Sequence, residues 1–226
     1  MKNYFTRYYQ ILLYVIFSFL MLLTISCKSN LHVDEVYSYG LANSQAQGIT
    51  MDFQDGKTYI PSSEPWITYM TVSEGHQFDY VNVWDKQAAD VHPPLYYAIL
   101  HTICSLFPGS FSIWYAGSIN IIFALLTLYI FRKLLFELLE KTPLINAISL
   151  AFVLLPGIYS NISFLRMYTM AMFWVLLIAY IFLKAIKAEK IGRCFWIKLC
   201  IISILGALTH YYCIIYLFFT CLVFGI

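Results

Sequence analysis

An all-α, polytopic membrane helix bundle with one long external loop is the fold this sequence predicts, from three observations. Of 226 residues, 61% are hydrophobic and only 12% are charged, about half the roughly 25% charge of soluble domains. The apolar residues gather into runs close to the ~20 residues that cross a bilayer. Acidic residues are segregated: nine of the twelve lie between residues 28 and 92, namely Asp34, Glu35, Asp52, Asp55, Glu64, Glu74, Asp79, Asp85 and Asp90. Net charge is +2, without the basic excess that would suggest a nucleic-acid partner. The chain is also rich in Tyr (19) and Phe (18), in part as expected for interfacial aromatic belts.

The first span is expected from about Tyr8 to Cys27, so that residues 1–27 form one unit. Lys2 and Arg7 precede it, which places the N-terminus in the cytoplasm by the positive-inside rule. Ser26-Cys27 after an apolar run resembles a lipoprotein signal. Further spans follow and Thr24 is an unusual residue for such a signal, so an uncleaved helix is expected. Residues 28–110 then form an external loop too long for a simple connector, with its own short juxtamembrane helices. Val36 to Ala46 is one of them; Asp52 to Gly56 and Pro61 to Pro65 read as turns.

The run Leu95 to Phe107 gives about 20 Å of helix against a hydrocarbon core of about 30 Å. It is expected to lie in the interface. Charge agrees, because only then do Arg132-Lys133 and the cluster Lys184, Lys187, Lys190 and Arg193 fall on the cytoplasmic side together. Residues 111–226 form the rest of the bundle, about five spans. These are Phe111 to Phe131, Leu144 to about Ser160, Met167 to Leu183, Cys194 to about Leu208, and a run from Cys213 that starts a sixth span and reads as truncated at Ile226. The multi-pass chain is assigned to the plasma (inner) membrane.

The six cysteines lie in or beside apolar runs without a CxxC pair or metal-ligand spacing, so they read as small packing residues. No HExxH, GxGxxG or P-loop pattern occurs. Asn161-Ile162-Ser163 matches a glycosylation triplet by pattern only.

This topology brings four distant features to one membrane level: Asp34-Glu35, His92-Pro93-Pro94, Arg166 and His210-Tyr211. Ionisable groups beside a membrane bundle are functional candidates. Arg166 is the only charge between Lys141 and Lys184.

Four stretches carry a family resemblance: Val33-Asp34-Glu35-Val36-Tyr37-Ser38, His92-Pro93-Pro94-Leu95-Tyr96-Tyr97, Leu165-Arg166-Met167-Tyr168 and Thr209-His210-Tyr211-Tyr212. In order and spacing they resemble the N-terminal half of GT-C class membrane glycosyltransferases, closest to the protein mannosyltransferase-like group with its RgtA/B/C/D-like domain. The resemblance implies a GT-C-like bundle and hexosyl or pentosyl transfer from a polyprenyl-phosphate donor. Transfer would occur on the periplasmic or other outer face, within cell-envelope glycan synthesis. It carries the family's catalytic Asp over to Asp34 and extends the substrate-binding set to Tyr168. The transfer it implies needs a base for the acceptor proton, a role suited to a carboxylate, and a cation for the charge that develops on a leaving phosphate. Asp34 is then the candidate general base or, in the alternative, a divalent-metal ligand. Glu35 points to a different face and orients a neighbour or binds acceptor. Arg166 pairs with phosphate or else snorkels to headgroups. His92 contacts donor or metal, or caps a turn. His210 and Tyr211 line a sugar pocket or anchor the interface. The acceptor is a glycan, a lipid or a protein; a divalent metal is the one cofactor under consideration. Family members carry many more spans, so an inactive N-terminal fragment stays open as an alternative. So does a non-catalytic transport or assembly subunit, although transporters concentrate charge near the midplane and here it gathers at one face.

Overall fold

The computed structural model describes residues 2–46, 64–188 and 190–225, with side chains from residue 8 onward. Every regular element among them is an α-helix. The turns expected over Asp52 to Gly56 and Pro61 to Pro65 fall wholly or mostly outside the described residues.

Helix α1 (Lys2–Ser26) is followed by a cluster of short helices: α2 (Val33–Asn43), α3 (Glu64–Met70), α4 (Tyr80–Ala89) and α5 (Leu95–Ser105). The bundle continues with α6 (Ile113–Leu138), α7 (Thr142–Leu154), α8 (Pro156–Ser163), α9 (Tyr168–Ile186), α10 (Arg193–Ala207) and α11 (Tyr211–Phe224). Three stretches are long and apolar enough to cross a membrane, Tyr8–Ser26, Ile113–Leu138 and Tyr168–Ile186. The pair α7 and α8 makes a fourth if it is one bent span.

The helices differ from the sequence expectation in two respects. The run expected as one straight span from Leu144 is broken, with α7 and α8 meeting at 47°. Leu155 is extended (φ −70°, ψ 120°) ahead of Pro156, because a proline ring disfavours helical backbone in the residue before it. The fifth and sixth expected spans become α10 and α11, of 15 and 14 residues. At about 22 and 21 Å of rise they are short for a 30 Å core. Helix α5 has 11 residues, about 16 Å, and cannot cross alone.

Helix α6 packs along α9 and against α1, α7 and α8, and so forms the centre of the bundle. Leu13, Phe17, Met21 and Ile25 of α1, spaced four residues apart, are its buried stripe. This is the one-sided pattern of a helix that shows the rest of its surface to an apolar medium or a partner. Gly117 of α6 lets that stripe approach closely, since a Cβ there would lie 3.3 Å from Ile25.

One end of the bundle is basic. Arg132 of α6 is buried and donates to Ser149 Oγ (2.8 Å) and Asn146 Oδ1 (3.3 Å). Lys184 and Lys187 of α9 both reach Glu137. The short helices cover the other end. There the Tyr39 hydroxyl of α2 donates to Ser112 O (2.7 Å) and accepts from Ala116 N–H (3.1 Å). Asn43 donates to Met70 O (2.8 Å), and Leu95 N–H donates to Leu208 O across the α10–α11 turn (2.9 Å). Gly40 is where α2 and α3 touch; any side chain there would run into the Tyr69 ring.

Candidate functional site

The site begins with a capping box. His32 caps α2, its Nδ1 accepting the Asp34 N–H (3.2 Å), while the Glu35 carboxylate accepts the His32 N–H (2.6 Å). The two orphan donors of the first turn are thereby satisfied reciprocally. Because Asp34 and Glu35 are adjacent on a helix, they leave it in different directions. Glu35 is fully buried. Its Oε1 accepts the Leu165 N–H (2.8 Å) and its Oε2 faces Lys28 Nζ at 2.9 Å. Glu35 therefore ties three chain segments together, and the geometry gives it a positioning role. Glu35→Ala strands the Lys28 charge and two backbone donors. It is expected to lower stability by about 3–5 kcal/mol, read from the unfolding midpoint in detergent.

Asp34 projects the other way, and its Oδ2 lies 2.8 Å from Arg166 Nη1. Arg166 is 6% exposed, in the turn before α9. Its second amino group donates to His92 Nε2 (3.1 Å), and His92 Nδ1 lies 2.9 Å from Asp90 Oδ2. A guanidinium only donates, so Nε2 accepts and the imidazole proton sits on Nδ1, directed at Asp90. Donation in the chain Asp34–Arg166–His92–Asp90 thus runs outward from Arg166, to Asp34 on one side and through His92 to Asp90 on the other, and fixes a single His92 tautomer. The rings of Phe164 and Tyr168 flank the guanidinium at 5.9 and 5.8 Å. Arg166 Nε is buried and has no hydrogen-bond partner among the described residues.

A cavity of about 410 Å³ opens over this chain, lined among others by Asp34, Lys86, His92, Tyr97 and Arg166. Lys86 of α4 is 4% exposed. Its ammonium reaches Ser44 O and Gly40 O, the final carbonyls of α2, where a cation also suits the helix dipole. Burial lowers its pKa to about 8. The Tyr97 hydroxyl is buried without a hydrogen-bond partner among the described residues, and burial pushes its pKa up to about 12, so it stays a proton donor at neutral pH.

His210 caps α11, its Nδ1 accepting the Tyr212 N–H (3.1 Å). Its ring lies 6.4 Å from that of His92 and 5.5 Å from that of Tyr168. Burial first, then His92 and Arg166, lower its pKa, which keeps it in the neutral form the cap requires. Tyr211 is exposed and lines a smaller, mostly apolar cavity of about 220 Å³ with Trp84, Pro93 and Pro94. His92 borders both cavities.

Of the residues singled out in the sequence, Asp34, His92 and Arg166 meet directly. Tyr168 and His210 stand beside them, Tyr211 lies one cavity away, and Glu35 turns to the opposite side. Lys86, Asp90 and Tyr97 join the site without having been singled out. Among the described residues no three His, Cys, Asp or Glu side chains converge as a metal centre. Asp34 and His92, the best-placed ligands, both face the Arg166 guanidinium, so these residues do not fit a metal and no step below passes through one.

Comparison with family models, with curated proteins and with solved structures finds no significant match.

Proposed function

We propose that this chain is an integral-membrane glycosyltransferase of GT-C-like architecture. It moves a sugar from a polyprenyl-phosphate donor to an acceptor hydroxyl on the external face. The observation that carries the reading is the Asp34–Arg166–His92 constellation, a carboxylate and a guanidinium 2.8 Å apart at the edge of a cavity beside the membrane helices. The opposite end of the bundle holds Arg132, Lys184 and Lys187. By the positive-inside rule that end is cytoplasmic, which puts the site outside.

In this reading the donor phosphate enters the cavity over Arg166 and displaces part of its contact with Asp34. A planar guanidinium offers two parallel donors to phosphate oxygens. The Tyr97 hydroxyl supplies a neutral donor, and Lys86 adds positive potential from the cavity wall. Asp34 takes the proton of the acceptor hydroxyl, whose oxygen attacks the anomeric carbon. The bond from that carbon to the phosphate oxygen breaks, and polyprenyl phosphate leaves with its charge held by Arg166.

Phosphate recognition is testable with farnesyl phosphate as a probe of the purified protein, and farnesol as its uncharged counterpart. The phosphate form is expected to bind and farnesol to bind far more weakly. Raising the pH from about 7 to about 9 removes the Lys86 charge and is expected to weaken the phosphate form about three- to tenfold, with a flat profile in Lys86→Met. The same shift sets stability in the opposite sense. The penalty of burying the charge is fully present below pH 8 and absent above the ordinary 10.5, so stability gains across that interval. Equal binding of the alcohol and the phosphate would remove the anion site.

A further inference from the structure

The basic end of the bundle holds a buried cation without a counter-ion. Arg132 is 3% exposed. Its two amino groups donate to Ser149 Oγ and Asn146 Oδ1, both neutral. Ser149 passes its own proton to Ile145 O (2.7 Å), so no negative charge stands behind it. The rings of Tyr9 and Phe136 flank the guanidinium at 6.0 and 5.7 Å. Among the described residues Arg132 has no carboxylate at ion-pair distance, whereas Arg166 at the other end has Asp34. Glu137, the next acidic residue along α6, is shared by Lys184 and Lys187. Buried charges are ordinarily paired, because water no longer solvates them.

Depth indicates the missing anion. Arg132 lies about 28 Å along α6 from Ile113, nearly the ~30 Å of a hydrocarbon core. That is the level of the headgroup phosphates of one leaflet. Lys133, the next residue, is exposed. Its ammonium stands over the Tyr129 ring at 5.1 Å, and it too lacks a carboxylate partner among the described residues. Tyr14 of α1 is close enough to feel the charge of Arg132. Its hydroxyl is buried without a hydrogen-bond partner among the described residues. One turn of α6 thus offers an accessible cation and a buried one that nothing neutralises, with a spare phenolic donor on the helix packed against it. In surroundings of low dielectric an uncompensated charge acts over several ångströms, so Arg132 draws an anion toward the seam without leaving its place.

We infer that the seam between α1 and α6 at this end binds the headgroup of an anionic phospholipid of the cytoplasmic leaflet. Lys133 contacts the phosphate, and Arg132 supplies the buried positive charge behind the site. Basic pockets between membrane helices on the cytoplasmic side suit such headgroups. A zwitterionic lipid brings its own cation and leaves the two positive charges uncancelled. The inference rests on the membrane orientation above and not on glycosyl transfer, so the two stand or fall separately.

Native mass spectrometry of the purified full chain in detergent tests it, with dioleoyl phosphatidylglycerol against dioleoyl phosphatidylcholine. The anionic lipid is expected to be retained at least tenfold better. Lys133→Gln lowers its retention about fivefold, and Arg132→Gln by at least as much. Lys187→Gln, whose ammonium is spent on Glu137, leaves retention unchanged, as does Arg166→Lys at the opposite end. Water-soluble glycerol phosphate at equal concentration does not displace the lipid. Should Arg132→Gln fail to fold, the exposed Lys133→Gln decides alone. Equal retention of the two lipids by the wild-type chain overturns the site. So does a loss in Lys187→Gln as large as in Lys133→Gln, the mark of a diffuse basic surface. A loss in Arg166→Lys would put the lipid at the outer cavity, and displacement by glycerol phosphate would make this a site for free anions; either result overturns the lipid assignment.

Discussion

Asp34→Asn is expected to abolish sugar transfer while the protein still inserts and folds. The carboxylate is half-exposed, and its contacts are one Arg166 nitrogen at 2.8 Å and the His32 ring at 3.7 Å. An asparagine amide oxygen still accepts from Arg166, so the turn and its capping box persist. What is lost is the capacity to take a proton, worth about 10²–10⁴ in rate for a positioned general base. The loss belongs in turnover rather than in donor affinity. The measurement is label transfer in membranes with equal amounts of each protein, beside farnesyl phosphate binding. Wild-type turnover by Asp34→Asn would remove Asp34 from the mechanism.

Arg166→Lys is expected to fail in a different way. The guanidinium spans Asp34 on one nitrogen and His92 on the other, and a single ammonium cannot hold both at those distances. Fork geometry toward phosphate is lost as well. Donor KM is expected to rise about 10- to 100-fold, and His92 loses the contact that fixes its tautomer. Normal donor binding by Arg166→Lys would return Arg166 to the role of an interfacial cation that reaches for headgroups.

Much of the fold was legible because length is read directly from sequence. Leu95 to Phe107 read as too short to cross a bilayer, and the helix found there, α5, has 11 residues and ends at Ser105. The break between α7 and α8 was signalled by Leu155-Pro156-Gly157 yet was read through as one span, since apolarity on both sides masks a proline. The start of α2 at Val33 rather than Val36 escaped because its cap is a histidine. A His-x-x-Glu capping box does the work usually signalled by Ser or Thr. His210 hides a second cap in the same way.

The site was legible where charge stands out against apolar sequence, as at Arg166 and Asp34. It was not legible where burial is decided by tertiary packing. Lys86 lies in the most polar stretch of the chain and has no sequence mark that distinguishes it from Lys57. Only the packing of α4 on α2 places its ammonium on the terminal carbonyls of α2 and on the wall of the cavity. Tyr97 follows the two prolines, but its unpartnered hydroxyl depends on how α5 meets Arg166. That Glu35 faces away from Asp34 was legible, since a helix turns neighbours about 100° apart; its partners Lys28 and Leu165 were not, because only the tertiary packing brings them to it.

The most direct test of the central claim is transfer of labelled sugar from a panel of polyprenyl-phosphate sugars, hexosyl and pentosyl, in membranes carrying the wild-type chain or Asp34→Asn. The expected result is transfer from at least one donor by wild type, lost in the variant at equal insertion. Absence of transfer from every donor by inserted wild-type chain would contradict the claim that this chain is a glycosyltransferase.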